Sequence, residues 1–335
     1  MTLKTTKQDL LRVGFIGAGE MATWAIFPAL HFAPIRLVAV CDLDRNLAQS
    51  AAAKFGADNW YTDYREMWSK EDIDAVIVQT HPRARRSLVT EALAAGYHVF
   101  VPKPPAASLV EAEDLAKAAK RADRVLMVNF QRRFSHAVTR AREIMSKESF
   151  GELTQISSSF CSGLFTGARG REYDSPVHAF MLDMAPHHLD LVRYLGGEVQ
   201  SMSLHHRQIG DGIALAIALE FASGAVGTLQ LNSHRIWWRN YDRIEITGMG
   251  EYLVLDDLWS IRHYTEAHNT FTENWSDERS GELTGDGPCL IEFVQAIREQ
   301  REPVSSMQDA VETMRLYEAI SEAVREDRNG LVFER

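Results

Sequence analysis

Cysteine is scarce in this chain. Three occur in 335 residues, Cys41, Cys161 and Cys289. They are far apart and none has C-x-x-C spacing, which argues against a disulfide framework and against a zinc site. Cys41 and Cys161 fall in apolar, strand-like runs, where a thiol reads as a small buried hydrophobe. Basic residues are in deficit too: 36 Lys and Arg against 46 Asp and Glu leave a net charge of −10. That balance argues against nucleic acid, whose binding rests on neutralising phosphates. No apolar run approaches the ~18 residues of a membrane span. The opening MTLKTTKQDLLR has no apolar core of the signal-peptide kind. Internal repeats and low-complexity segments are missing as well. What remains, 45% hydrophobic and 24% charged, is the composition of an ordinary globular protein, and a cytoplasmic enzyme is the expectation. The length is generous for one domain and comfortable for two.

What is present centres on residues 12–30, RVGFIGAGEMATWAIFPAL. Val13, Phe15 and Ile16 form a short apolar run of strand type that enters Gly17-Ala18-Gly19. Met21, Trp24, Ala25 and Phe27 then recur at helical spacing. Strand, glycine turn and helix in that order give a G-x-G-x-x-G/A match its meaning. Gly17 suits the tight turn, Gly19 lets backbone approach a pyrophosphate, and Ala22 lets helix and strand pack closely. The helix start offers free N–H groups to phosphates. IRLVAVC at 35–41 reads as a second strand and ends at Asp42. That acid lies near the expected distance, about 20 residues beyond the motif, for holding a ribose 2′-OH. Dinucleotide binding follows. Asp42 favours NAD, because a carboxylate repels a 2′-phosphate, while Arg45 keeps NADP open.

The rest of the first part alternates. A helix is expected at 44–55 before Gly56, a strand at 73–78, a helix at 83–95 before Gly96, and a strand at 98–101 cut off by prolines 102, 104 and 105. Ser108-Leu109-Val110-Glu111 is a capping box opening a helix to about 122, and 125–128 is a further strand. This βαβ rhythm predicts a parallel sheet with helices on both faces, a Rossmann domain over residues 1–128. Residues 129–335 then read as an α+β domain for substrate binding and oligomerisation. After a helix at 137–146 come strand-like runs at 152–160, 199–208, 213–221, 225–233, 241–248 and 251–256. They predict a large, open, mostly antiparallel sheet with one face covered. The outer face is expected to be apolar and to pair subunits into a dimer or tetramer over 213–233 and 241–256. Residues 257–287 read as irregular, and helices follow near 288–300 and 308–326. The last of these is a candidate to pack back on the first domain.

Several motifs line up with one family. GFIGAGEMA at 14–22, VAVCDLD at 38–44, the Thr80-to-Ala106 run ending AGYHVFVPKPPA, NFQRRF at 129–134, DMAPHHLDLVRYLGG at 183–197 and FVQAIREQREPVSS at 293–306 follow its order. The chain resembles the glucose-fructose oxidoreductase, inositol dehydrogenase and rhizopine catabolism family (Gfo/Idh/MocA). The resemblance implies a Rossmann domain followed by an α+β domain with a large open sheet. It implies an NAD(P)-dependent dehydrogenase acting on a secondary alcohol of a sugar, an inositol-like polyol or a related cyclic compound.

The resemblance also assigns residues. The catalytic lysine of an E-K-P motif corresponds to Lys103, in a triplet that here reads Pro102-Lys103-Pro104. A cis Lys103–Pro104 bond is implied. A D-x-G-x-H-x-x-D signature corresponds to Asp183 through Asp190, with Ala185 in place of glycine. Asp183 and His187 join Lys103 as the catalytic set, Lys103 and His187 handling the hydroxyl proton while Asp183 orients or charges the pair. The cofactor set is Gly17, Gly19, Glu20, Met21, Asp42, Thr80, His81 and Lys103. Asp183 and His187 are also substrate contacts, and Arg169 and Arg171 lie where relatives meet substrate. Trp237 and Trp238, from their residue type alone, read either as sugar-stacking platforms, with Trp238 the substrate contact, or equally as oligomer-interface anchors. The family generally works without metal, and none is expected. Two departures stand out: proline for glutamate at 102, and Arg85 where relatives often carry histidine.

From the residues themselves, offsets of 4 and 7 put Asp183, His187 and Asp190 on one helical stripe. With Asp183 as N-cap, Pro186 falls harmlessly in the first turn. Arg132 and Arg133 read as structural. Two other readings of the chain remain: a glycoside hydrolase of the same fold that uses tightly held NAD, and a non-catalytic, dinucleotide-sensing regulator.

Overall fold

The computed structural model describes residues 10–163, 173–234, 241–265, 267, 269–275 and 285–335. Two units emerge. The first comprises Met1–Gln131 with Ser280–Val311, and the second Arg132–Arg279 with Glu312–Arg335.

The first unit is built on a six-stranded sheet in the order β3-β2-β1-β4-β5-β6. Its strands are β1 (Leu11–Ile16), β2 (Ile35–Cys41), β3 (Asn59–Tyr61), β4 (Ala75–Val78), β5 (His98–Pro102) and β6 (Leu126–Asn129), and every pairing is parallel. Strands this apolar bury both faces: β4 and β6 are buried at every position. After β1 the chain turns helical at Glu20, passes through a π-helical turn, Ala22–Ile26, one α turn, α1 (Phe27–Ala29), and a 3-10 turn, Leu30–Phe32. The following helices are α2 (Arg45–Phe55), α3 (Tyr64–Lys70), α4 (Pro82–Ala94) and α5 (Leu109–Ala122). Their ends follow local chemistry. Asp44 caps α2 by accepting from the N–H groups of Asn46 and Leu47 at 2.8 and 3.4 Å, and Gly56 closes it at φ +77°. The Ser108 hydroxyl accepts from Glu111 N–H at 3.3 Å, while Glu111 reaches back to Ala107 N–H, one residue before the cap. A late helix, α9 (Asp286–Glu299), belongs to this unit and sets Phe293 against Phe100 with ring centroids 5.4 Å apart.

The second unit carries a nine-stranded sheet in the order β14-β13-β12-β11-β7-β10-β9-β8-β15. These are β7 (Leu153–Cys161), β8 (Val199–Ile209), β9 (Gly212–Phe221), β10 (Val226–Asn232), β11 (Tyr241–Gly248), β12 (Glu251–Asp256), β13 (Ser260–Thr265), β14 (Thr270–Asn274) and β15 (Gly330–Glu334). Only β7 with β10 is a parallel pair among them. The helices of this part are α6 (His136–Met145), α7 (Pro176–Asp183), α8 (Ala185–Gly196) and α10 (Met307–Arg325), the last running from one unit's segment into the other's. Helices α7 and α8 cover one face, packing on β7, β9 and β10.

Three expectations need correction. Residues 257–287 are not all irregular: β13 and β14 pair antiparallel within them as the last strands on one edge. An edge strand buries little, so β14, TFTEN, lacks the apolar alternation that reveals inner strands. The uncovered face of the sheet is mixed rather than uniformly apolar. Outward positions of β9 are Ala214, Ala216, Ala218 and Glu220, and those of β7 are Leu153, Gln155, Ser157, Ser159 and Cys161. On β11 and its neighbours, Arg243 pairs with Glu245 and Asp256, and Arg262 with Asp256, at 2.8–2.9 Å. Finally, Asp183 does not cap a helix. It is the last residue of α7, whose own cap is Ser175, accepting from His178 N–H at 3.0 Å. Met184 stays in the helical region at φ −103° and ψ −41°, so α7 runs almost unbroken into α8, with Pro186 in the first turn of the latter.

Candidate active site

The order of the first sheet reverses between β1 and β4, and the carboxyl ends of those strands frame the crevice where open α/β sheets bind ligands. Gly17 follows β1 at φ +95°, and a Cβ there would land on the carbonyl oxygen of Gln79 at the end of β4. Only glycine satisfies both conditions. Gly19 has open space where a Cβ would point, the room a phosphate needs for close backbone approach. Glu20 and Met21 begin the helix, both exposed.

Asp42 stands just past β2 with its carboxylate tied to main chain. One oxygen accepts from Ala18 N–H at 2.6 Å and the other from Asp44 N–H at 2.8 Å. The acid therefore braces the glycine turn, and each oxygen retains a second lone pair for a hydroxyl donor. Arg45 lies over the Trp60 ring at 5.1 Å, an engagement that competes with contacting a 2′-phosphate.

Thr80 and His81 form the turn between β4 and α4. His81 is the N-cap, its Nδ1 accepting from Arg83 N–H at 3.3 Å. Gln79 Nε2 and Thr80 Oγ1 are buried here without a hydrogen-bond partner among the described residues. Buried polar groups are normally satisfied, so an orphaned donor and hydroxyl beside the glycine turn fit a polar ligand. Glycine turn, acid and orphaned groups together suit a dinucleotide.

Lys103 follows β5, half-buried, in a cis bond to Pro104. The segment around it is gripped by Arg85, which is 5% exposed. Nε and Nη2 of Arg85 donate to Thr80 O at 2.8 and 2.5 Å. Nη1 donates to Pro102 O at 3.2 Å and to Pro104 O. The two departures from the family pattern, at 85 and 102, thus meet in one contact. Asn129, at the end of β6, donates to Asp286 at 3.0 Å while its Oδ1 is buried without a partner among the described residues. Sequence reading passed over Gln79 and Asn129, and saw Arg85 only as a substitution. The one available signal was their position at strand ends or in the T-x-P turn.

In the second unit every residue from Ala179 to Arg193 is buried except Asp183, which is half-exposed at the α7–α8 junction. His187 lies one turn into α8 and is 6% exposed. Asp190, expected on the same stripe, is instead committed to the core: Arg133 Nε donates to it at 2.7 Å, with a second contact from Nη2. His188, 0% exposed, sits 3.1 Å from Arg132 and 3.2 Å from Asp242, and Arg132 pairs with Asp242 at 2.5 Å. Arg132 and Arg133 are thus structural, as their reading from sequence has it. Arg169, Arg171, Trp237 and Trp238 lie outside the described residues. Among the described residues no cluster of His, Cys, Asp and Glu is placed to hold a metal, and no helix is long and apolar enough to cross a membrane.

Comparison with known proteins agrees with this architecture. Residues 11–130 match the oxidoreductase family with an NAD-binding Rossmann fold, and residues 138–253 match the GFO/IDH/MocA C-terminal domain. The chain is 25% identical to myo-inositol 2-dehydrogenase of Thermotoga maritima, over 74% of this chain and 76% of that protein. It is 27% identical to 4-carboxy-2-hydroxymuconate-6-semialdehyde dehydrogenase of a Sphingobium species, over 91% and 96%. The crystal structure of a dehydrogenase from Chromobacterium violaceum superposes with a TM-score of 0.87 at 25% identity, covering 95% of this chain and 98% of that one. By motif, sheet order and domain match, the chain belongs to the Gfo/Idh/MocA family of oxidoreductases, with its NAD-binding Rossmann domain and C-terminal domain.

Proposed function

We propose that the protein is an NAD-dependent dehydrogenase acting on a secondary alcohol of a cyclic sugar or polyol. One observation carries this reading: Lys103 stands at the carboxyl end of β5, among the strand ends that also bear the Gly17 turn, Asp42 and Thr80. A hydride acceptor and a proton-handling amine then share the strand ends of one sheet. Bound NAD supplies the hydride chemistry. Gly17, Gly19, Glu20 and Met21 would hold its pyrophosphate end, Asp42 its ribose, and Thr80, His81 and Lys103 its remaining length.

The chain's part is to hold the alcohol and move its proton. Lys103 and His187 are assigned to that transfer, since an amine and an imidazole are both groups that serve as acid or base in catalysis. Asp183 orients or charges them. Arg169 and Trp238 are proposed substrate contacts. Similarity to a myo-inositol dehydrogenase favours a ring alcohol, and similarity to a semialdehyde dehydrogenase that spans nearly the whole chain brings carboxylated substrates into view. We further propose two or four copies associated through the second sheet, whose outward Ala214, Ala216 and Ala218 leave a flat surface for close approach. Light scattering at micromolar concentration tests this, and a monomer overturns it.

The enzymatic reading is tested with a panel of inositols, sugars and sugar acids, each supplied with NAD and followed by NADH absorbance. Steady NADH accumulation with one ring alcohol is the expected result. NAD binding without NADH formation across the panel would favour the regulator, and release of free sugar from glycosides without net NADH would favour the hydrolase.

A further inference from the structure

The stretch that carries Lys103 is short of main-chain donors. Pro102, Pro104 and Pro105 have no N–H, so the backbone on both sides of the lysine offers mainly carbonyls. Carbonyl oxygens can be fixed only by a donor from elsewhere. Arg85 is that donor, a guanidinium in the first turns of α4 whose planar fork serves three carbonyls together. Pro102 O and Pro104 O flank the lysine, and Thr80 O belongs to the turn beside Gln79 and Gly17.

We propose that Arg85 is the positioning residue of the active site, clamping the carbonyls on either side of Lys103 to the Thr80 turn so that lysine and cofactor turn keep one spacing. This rests on Lys103 being the proton-handling group. A lysine at 85 would not substitute, because an ammonium is a point donor and cannot hold three carbonyls set along a fork. Misplacing a reacting group by about 1 Å can cost about 100-fold in rate, so the clamp should be visible in kcat.

The test uses the full chain with the substrate found by the panel, comparing Arg85→Ala and Arg85→Lys with Lys103→Met. Rates are expressed per NAD-binding site, counted by calorimetric titration with NAD, so that loss of folded protein does not read as loss of kcat. Both Arg85 variants should lose about 10–100-fold in kcat with substrate KM changed less than about threefold. Guanidinium ion added to the assay should restore part of the rate of Arg85→Ala and none of Lys103→Met. Main-chain hydrogen exchange over 79–84 and 100–107 should quicken in Arg85→Lys while the second unit is unchanged. Arg85→Lys, which keeps the charge and the stem, decides the matter if Arg85→Ala does not fold. Arg85 variants within twofold of the unaltered rate, beside an inactive Lys103→Met, would sink the clamp and leave Lys103 standing. A fully active Lys103→Met would instead remove the reading on which the clamp rests. Unchanged exchange in Arg85→Lys overturns the clamp with no substrate at all.

Discussion

The two sheets solve the same problem in opposite ways. The parallel sheet of the first unit is buried on both faces, and the polar groups that brace its site turns are held by main chain, Asp42 by two N–H groups and Arg85 by three carbonyls, with Asn129 on Asp286 the exception. The larger sheet of the second unit buries one face, and its interior polar groups are held by other side chains: Arg132 with Asp242, Arg133 with Asp190, Arg193 with Thr313. Main-chain partners come with a local motif and lie close in sequence. The side-chain pairs span separations of 110, 57 and 120 residues. The first unit therefore displays a surface shaped for a ligand at its strand ends, whereas the second spends its buried charge on holding helical segments to one another and to a strand.

The sharpest test of that contrast asks whether the chemistry resides where the main chain does the holding. Lys103→Met should lower kcat by about 10²–10⁴, roughly 3–5 kcal/mol of barrier. NAD affinity should change little, because the Gly17 turn is untouched. His187→Ala should cost a similar factor, and the double variant much less than the product if both groups serve one step. A well-folded Lys103→Met enzyme with unaltered turnover would end the assignment.

Next comes the burial of charge. Arg133 and Asp190 have side chains only 3% and 1% exposed, so Arg133→Met strands a carboxylate in the core and should cost about 3–5 kcal/mol in urea unfolding. Arg12 and Asp74 of the first unit, 35% and 34% exposed, make a pair that water screens, and Arg12→Met should cost about 1 kcal/mol or less. Equal losses from the two would break the comparison.

Smaller than the loss from Arg133→Met is the loss from Asp42→Ala. It removes the acceptor of Ala18 and Asp44 N–H groups as well as the proposed ribose contact. NAD affinity should fall about tenfold, near 1.5 kcal/mol for charge-assisted hydrogen bonds, and the preference over NADP should shrink. Calorimetry showing that the unaltered protein binds NADP more tightly than NAD would defeat the reading of Asp42.

The same contrast governs what could be read in advance. Continuous apolar runs such as AVIV and LMVN in the first unit announce strands buried on both faces, and the glycine turn, Asp42 and the Ser108 cap follow from adjacent residues. Alternation in IALAIALEF gave the second sheet, but not its edges, since β14 and β15 bury too little to show a pattern. Asp183 was misread because the helix before it, PVHAFMLD, is nearly all apolar and carries no amphipathic period. Its cap, Ser175, precedes a proline at the first helical position, a signal present and passed over. Asp190 shows the limit more plainly: spacing put it beside His187, and only the distant Arg133 reveals that it serves the core.

The smallest expected effect is a difference in how the two units respond to acid. His98 in β5 is held below the ordinary imidazole range, chiefly by burial and then by Arg124, and its Nδ1 accepts from Val125 N–H at 3.1 Å, a bond only the neutral ring can make. A group whose folded pKa lies below its unfolded one stabilises fully above the unfolded value, about 6.5 for histidine, and that contribution is lost as pH falls toward the folded value. In the second sheet Glu245 is depressed by hydrogen bonds from Tyr252 and Arg243. The same sign applies, but its window opens only below the unfolded glutamate value of about 4.3. The strands beside His98 should therefore begin to weaken before those beside Glu245 on acidification. Hydrogen exchange, corrected for intrinsic rate, should lose protection over 98–101 and 125–129 between about pH 7 and pH 5, while 243–255 holds. His98→Gln removes the titrating group, so protection over the same β5 and β6 segments should become flat across that interval. Equal loss in both units, or an unchanged slope in His98→Gln, would show that another group sets the acid response.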